Sequence, residues 1–321
     1  MSSKGRHGRD HKPHKGSGTK GGPRQHGPGK PAAKQHSAPH DGHRRQDFHK
    51  GPRPQKPERE HRGEHAANQR GEHRGGGDHT EVWLYGHHAV AAALANQERR
   101  VLRLLATSEA MERLRDDASV PQGVLNRAHS ASRKEIDNIV GEHAVHQGVA
   151  MLTRPIDHHL EDILEIAKER ETCCVVLLDQ VSDPHNVGAI LRSAAAFDAA
   201  AVVTLDRRAA AETGAMAKSA SGALDRISFI QTTNLARAIE VLKQNQFWVV
   251  GLEADGEKKL AEIDLKGRIA FVMGTEGEGL RRLVRESCDQ VVRLPINAAS
   301  ESLNVSNAAA IALYERSRQL G

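Results

Sequence analysis

Residues 156–321 predict an α/β domain built on a parallel sheet, and two observations carry that expectation. Short apolar runs recur between stretches with helical spacing, at about residues 173–179, 200–205, 227–231, 247–252, 269–273 and 290–294. Strands that are apolar throughout, separated by helices, fit a parallel sheet covered on both faces. The second observation is that three polar, glycine-punctuated segments interrupt the pattern: Asn186-Val-Gly188-Ala-Ile-Leu-Arg192, Gly274-Thr-Glu276-Gly277-Glu-Gly279-Leu280 and Ser302-Leu303-Asn304-Val-Ser306. Open α/β sheets place ligands and chemistry at such junctions, so the segments mark this chain as an enzyme.

The chain opens on 80 residues of a different kind. Between Met1 and Thr80 there is no Val, Ile, Leu, Trp or Tyr, and Phe48 is the one aromatic. Such a segment cannot bury enough apolar surface to offset about 1–2 kcal/mol per residue of backbone ordering, so 1–80 is expected to be a disordered arm. It holds 18 Lys and Arg against 8 Asp and Glu, which leaves 28 against 33 in the rest of a chain with 46 and 41. A basic arm on an acidic body attracts a polyanion through a salt-sensitive term that ignores sequence. RNA is the natural partner, although an acidic protein surface meets the same requirement. Twelve of the 20 histidines, among them His7, His11, His14, His40, His43 and His49, lie in the arm at irregular spacing. Without accompanying cysteines or a consistent carboxylate they read as a solvated, partly protonated tail, and no metal site is expected.

Residues 81–155 predict a small α/β unit. Val82-Trp-Leu-Tyr85 and Val101 to Ala106 are strand-like, Gly148-Val-Ala-Met-Leu152 closes the unit, and helical spacing covers 88–96, 108–117 and 132–140. His87 and His146 stand near its two ends, each read as structural ahead of RNA contact, because a single His is a weak signal. Leu160, Ile163, Leu164 and Ala167 then give 157–170 the stripe of a connecting helix. Helices are expected at 186–197, 210–219, 234–245, 280–288 and about 305–319, between the strands given above. Cys173 and Cys174 fall in a strand and point to opposite faces, and Cys288 lies near a helix end. Three such cysteines read as small core residues in a reducing cytoplasm. No segment has the continuous apolar core of a secretory signal, and no apolar run is long enough to span a bilayer.

Each polar segment has an ordinary explanation beside a chemical one. Asn186 is a candidate N-cap for the helix that follows Asp183-Pro184-His185. Arg192 fits either an ion pair or a ligand contact, with Gly188 one turn earlier expected to leave open surface beside the guanidinium. Gly274 to Leu280 lacks the Lys-Ser/Thr of a phosphate loop and the Gly-x-Gly-x-x-Gly of a dinucleotide site. A tight turn explains it, and so does close approach of a ligand to bare backbone. Glu276 is expected to be buried there, paired with backbone donors or with Arg192, and Glu278 to be solvated. Ser302 or Asn304 suits the N-cap of the last helix.

The order and spacing of these segments, with Leu294-Pro-Ile296 before the third and Ala308-Ala-Ala-Ile-Ala-Leu-Tyr-Glu315 after it, resemble the SpoU (TrmH-like) branch of the SPOUT methyltransferases. The resemblance runs from about Trp83 to Arg318. It implies a SPOUT domain over 156–321 whose C-terminal segment forms a deep trefoil knot, an exception to the usual absence of threading. Tyr85-Gly86-His87-His88-Ala89-Val90 and His146-Gln147-Gly148 resemble the ends of that family's L30e-like RNA-binding module, over 81–155. By the same match Gly274, Leu294, Ile296 and Leu303 contact S-adenosylmethionine, and Asn186, Arg192, Glu276, Ser302 and Asn304 form the catalytic set. Arg192 is implied to act across a homodimer on the ribose 2′-hydroxyl, and since it stays protonated its role is to orient the hydroxyl and stabilise developing alkoxide. The implied reaction is in-line methyl transfer to RNA, not DNA, with no metal. Leu178-Asp179-Gln-Val-Ser-Asp-Pro-His-Asn-Val-Gly-Ala and Asn234-Leu-Ala-Arg look most like members that methylate a guanosine of 23S ribosomal RNA. Alternatives are a tRNA ribose methyltransferase and a silent RNA-binding protein on the same scaffold. Departures from the family are the His-rich arm and Asn297 to Ala299, where relatives often have glycine and valine.

Overall fold

The structure, a computed structural model, describes residues 81–206, 212–297, 300 and 302–321. The expectations for the arm, 1–80, and for the loop positions Ala298 and Ala299 lie outside them. Two sheets organise the described chain. In the first, β1 (Val82–Tyr85), β2 (Arg103–Ala106), β3 (Ala128–Ser130) and β4 (Val149–Thr153) run in the order β1-β4-β2-β3, with α1 (His87–Ala95), α2 (Ser108–Asp116), α3 (Gln122–Leu125) and α4 (Arg133–Val140) between them. β4 pairs antiparallel with β1 and β2, and β2 pairs parallel with β3. Thr107 caps α2, and Ser132 with Glu135 forms a reciprocal capping box on α4, so both helices begin where sequence chemistry puts them. The connecting helix α5 (Leu160–Lys168) buries Ile163 and Ala167, the centre of its apolar stripe.

The second sheet is parallel throughout. Its strands are β5 (Cys173–Leu178), β6 (Ala201–Leu205), β7 (Ser228–Thr232), β8 (Trp248–Leu252), β9 (Lys258–Lys259), β10 (Arg268–Met273) and β11 (Gln290–Arg293), in the order β7-β6-β5-β10-β8-β11-β9. Every residue of β5 is buried, and successive side chains enter opposite layers: Cys174 and Val176 join one core, Cys173 and Val175 the other. Each such aliphatic side chain contributes about 1.5–3 kcal/mol on burial. The covering helices are α6 (Pro184–Ala196), α7 (Gly214–Ala220), α8 (Leu235–Gln244), α9 (Arg282–Ser287) and α10 (Val305–Leu320). The helix expected at 210–219 begins later, as α7, because Thr213 is its N-cap and accepts from the Met216 N–H; 207–211 are outside the described residues.

Two expectations change. The N-cap of α6 is Asp183, whose carboxylate accepts from the His185 N–H at 3.0 Å, so Asn186 sits inside the first turn. Pro184 explains the earlier start, because its fixed φ and missing N–H suit the first helical position. Gly188 opens no surface: it is buried, and a Cβ there would lie 2.5 Å from the Met216 carbonyl oxygen and from Ser219 Cβ. It is the point where α6 touches α7.

A buried ion cluster joins the two sheets. The Arg99 guanidinium, side chain 1% exposed, donates to Asp225 at 2.7 Å, to Glu212 at 2.6 Å and to the Arg154 carbonyl at 3.1 Å. Burial pushes both carboxyls up, and the Arg99 charge opposes it. Arg99→Ala should cost about 3–5 kcal/mol, because it leaves two buried carboxylates uncompensated. With their folded pKa raised above the unfolded value, the folded state binds more protons, so the deficit should shrink as pH falls from 8 to 5. Urea unfolding of both proteins across that range checks this.

The opposite sign holds at the C-terminus. Glu315 accepts from Arg318 at 2.8 and 2.9 Å and from Gln319 at 2.9 Å, which holds its carboxyl down at about 2. Its contribution is present above pH 4.5 and lost as pH falls toward 2, and solvent screening limits it to about 1 kcal/mol. Glu315→Gln should therefore reduce stability at pH 6 and reduce it much less at pH 2.5 in the same unfolding measurement.

Candidate active site

β10, β8 and β11 are neighbours in the parallel sheet, and the chain leaving their C-terminal ends builds a cleft of about 400 Å³. Its apolar wall includes Leu252, Met273, Leu294, Ile296 and Leu303, and its rim carries Glu253, Asp255, Glu276 and Glu278. Gly274 and Ser302 also line it. The position follows the rule for open α/β sheets, in which ligands lie beyond the carboxyl ends of the strands.

One wall is a hairpin. Thr275 and Gly279 exchange backbone hydrogen bonds at 3.1 and 3.2 Å, with Gly277 and Gly279 at φ of +95° and +69°. Gly274 closes this turn: a Cβ there would meet the Gly279 carbonyl carbon and oxygen at 2.3 Å. The glycine is required by the loop's own backbone, a different reason from ligand approach. Two carboxylates pin the hairpin from behind. Glu253 accepts from Leu280 N–H at 2.8 Å, and the buried Asp179 accepts from Arg281 through its backbone N–H at 2.9 Å and its guanidinium at 2.7 Å.

The polar centre lies where three loops meet. Asn304 donates from Nδ2 to Glu276 Oε1 at 2.7 Å and to Asn186 Oδ1 at 3.0 Å, and Glu276 Oε1 also accepts from the Val305 N–H at 3.2 Å. The other end of Asn304 caps α10, accepting from Ser306 N–H at 2.9 Å. With both ends of its amide engaged, Asn304 is a fixed bridge between the first and second segments. Glu276 finds a backbone donor as expected, but it is exposed and paired with Asn304, not buried and not paired with Arg192. The hairpin tip carries it and Glu278 outward, where water solvates their charge. Ser302 is exposed at the cleft edge, and Asn304, not Ser302, is the N-cap.

Arg192 stands apart from this centre. It lies two turns along α6, exposed, on the helix face shared with His185 and Gly188, and forms no hydrogen bond or ion pair among the described residues. His185 Nδ1 meets Ser219 Oγ on α7 at 3.0 Å, while Asn186 faces Asn304 at the start of α10. Among the described residues no Lys or Arg lines the cleft. His146 is structural: it is buried, its Nε2 lies 3.0 Å from Asp137, and its Nδ1 accepts from the Gly148 N–H at 3.0 Å. His87 lies 3.3 Å from Asp117. Burial pushes the Cys174 and Cys288 thiols up to about 12, so neither offers a thiolate. Among the described residues no three His, Cys, Asp or Glu side chains gather as metal ligands, and no helix is long and apolar enough to cross a membrane.

Comparison with known proteins bears on both sheets. Residues 174–314 match the SpoU rRNA Methylase family, and residues 83–159 match the RNA 2′-O ribose methyltransferase substrate-binding family. The 23S rRNA (guanosine-2′-O-)-methyltransferase RlmB of Coxiella burnetii is 39% identical over 245 residues, covering 74% of this chain and 95% of the relative. The protein of the same name from Pseudomonas putida is 40% identical over 240 residues, covering 74% and 96%. An uncharacterized tRNA/rRNA methyltransferase of Synechocystis is 38% identical over 244 residues, and there the match spans 62% of the relative's length. The SpoU methyltransferase AviRb of Streptomyces viridochromogenes, in complex with AdoMet, superposes with a TM-score of 0.61 at 22% identity, over 75% of this chain and 90% of that one. That last likeness concerns the fold.

Proposed function

The chain belongs to the SpoU rRNA methylase family, and on that premise we propose that it transfers a methyl group from S-adenosylmethionine to the ribose 2′-hydroxyl of a guanosine in 23S ribosomal RNA. The observation that carries the reading is the bridge from Asn304 to Asn186 and Glu276, which joins the first and second polar segments beside the cleft. The cleft suits the cofactor. Its volume is within the range of small-molecule sites, its aliphatic wall suits an adenine, and its acidic rim suits a cationic amino group and sulfonium. Gly274, Leu294, Ile296 and Leu303 would hold the adenosine, and when bound the cofactor supplies an electrophilic methyl.

The chain's own residues position the nucleophile. Asn186, Glu276 and Asn304 hold one another beside the cleft and Ser302 stands at its edge, and preorganised polar groups of this kind carry much of the catalytic effect. Arg192 completes the set from the partner of a homodimer. Supporting this are its lack of partners among the described residues of its own chain and the exposed Ile311 and Tyr314, at 43% and 56%, one turn apart on α10. Its guanidinium orients the ribose hydroxyl and stabilises negative charge as the hydroxyl proton passes to water. Residues 81–155 act as the RNA-binding domain and 156–321 as the methyltransferase domain, with the C-terminal segment knotted as in the family. The enzyme works in the cytoplasm, where ribosomal RNA is made and the cysteines stay reduced.

Incubation of the purified chain with methyl-labelled S-adenosylmethionine and either 23S RNA or tRNA tests the reading. Label in a single guanosine of 23S RNA is expected. Label in tRNA alone would transfer the assignment to tRNA, and cofactor binding without transfer to any RNA would indicate a silent scaffold.

A further inference from the structure

Helix α7 is gripped at both ends by residues of the N-terminal sheet region. Just before it, Glu212 accepts from Arg99, and beyond it Asp225 accepts from the same guanidinium. At its last turn Lys218 Nζ donates to Gln147 Oε1 at 2.6 Å, and that oxygen also accepts from the His87 N–H at 3.1 Å. Between the two grips Gly214 lies so near β1 that a Cβ would sit 2.4 Å from the Trp83 carbonyl oxygen and the Tyr85 ring. The far side of α7 touches α6 at Gly188, and α6 carries Asn186 and Arg192.

The grip at Gln147 is over-determined. Its φ is +55°, a left-handed conformation uncommon for a residue with a side chain, and its carbonyl accepts from Arg113 at 2.9 Å. Conformational cost of this kind persists where surrounding contacts hold it. Gly86, at φ +89°, leaves room for the Lys218 stem, since a Cβ would meet Lys218 Cδ at 2.7 Å. Neither Gln147 nor Lys218 lines the cleft. Two attachments at opposite ends of one helix resist rotation about either, so the N-terminal sheet is held at one angle to α7 and, through the contact at Gly188, to α6, which carries Asn186.

We propose that Gln147 and Lys218 are positioning residues for substrate selection: their latch on α7 makes the RNA-binding domain a fixed ruler that decides which ribose of a folded RNA reaches Asn186, Glu276 and Asn304. This rests on the functional reading above. Site selection then comes from the distance between the surface that holds the RNA and the cleft, not from contacts to the base alone.

Gln147→Gly tests it cleanly, because glycine adopts φ +55° without strain and only the side-chain latch is lost. The variant should melt within about 3 °C of the parent and bind S-adenosylmethionine equally well. On a folded 23S RNA fragment its KM should rise about 5–10-fold with kcat within two-fold, and methylation should spread to additional riboses. Gln147→Glu, which keeps the acceptor facing Lys218 and His87, should restore both KM and single-site methylation. Spin labels at Lys134 and Glu240, in a Cys288→Ser background diluted with unlabelled protein, should give a narrow distance distribution in the parent and a broad one in Gln147→Gly. Unchanged KM with methylation still confined to one ribose, or an equally narrow distribution in the variant, would overturn the ruler. Absence of transfer by the parent enzyme would count against the methyltransferase reading, while the distance distributions would still decide the latch.

Discussion

Arg192→Ala should lower kcat by about 10³-fold, the scale of losing one charge-stabilising donor in a preorganised site, while cofactor affinity stays within about three-fold. The division follows from geometry. Arg192 is absent from the lining of the cleft and lies on a different face of α6 from Asn186, so its removal leaves the adenosine pocket untouched. Mixing Arg192→Ala with Glu276→Gln provides the sharper form of the experiment. A heterodimer of two inactive chains regains one complete site, so random re-association should recover about a quarter of parental activity under two-fold symmetry. Recovery at the level of either variant alone would place Arg192 in the site of its own chain, and loss of cofactor binding by a folded Arg192→Ala protein would place it in the pocket.

Gly274→Val should do the reverse. A Cβ at this position meets backbone atoms at 2.3 Å, which no side-chain rotation relieves, so the hairpin from Thr275 to Gly279 must open and one wall of the cleft is lost. Cofactor affinity should fall at least about 100-fold, or about 2.8 kcal/mol. The hairpin is at the surface and contributes little to either core, so the melting temperature should change little. Calorimetric titration of the variant with S-adenosylmethionine measures the effect, and near-parental affinity would show that the hairpin is not part of the binding wall.

The long apolar strands of the second sheet were legible because a strand buried on both faces has no polar positions to confuse the pattern, as in the six buried residues of β5. β9 was not, since Lys258 and Lys259 are exposed and only pairing with β11 makes them a strand. β3 and α3 are three and four residues long, too short to establish a period. Asp183 and Asn186 are both cap formers by chemistry, and the proline between them was the signal that favours Asp183. Gly188 read as open space because a sequence does not say which helix lies across it. Three residues that pin the hairpin, Asp179, Glu253 and Arg281, went unread as site residues for a related reason: a carboxylate at a strand end looks like loop polarity until its partner across more than twenty residues is known. For Asp179 a signal existed, a charged residue directly after six apolar ones.

Arg192 presents the limit of single-chain reasoning. Helical spacing places it on a face away from Asn186, so the proposal that a second copy brings it to the polar centre rests on more than one chain's geometry can display.

Mapping of 2′-O-methyl groups in ribosomal and transfer RNA, from cells with the gene and cells without it, tests the central claim most directly. The account predicts that one guanosine of 23S RNA loses its methyl group in the deletion strain and regains it with the intact gene but not with Arg192→Ala. An unchanged 23S RNA, whether accompanied by a missing methyl group in tRNA or by none at all, would contradict it.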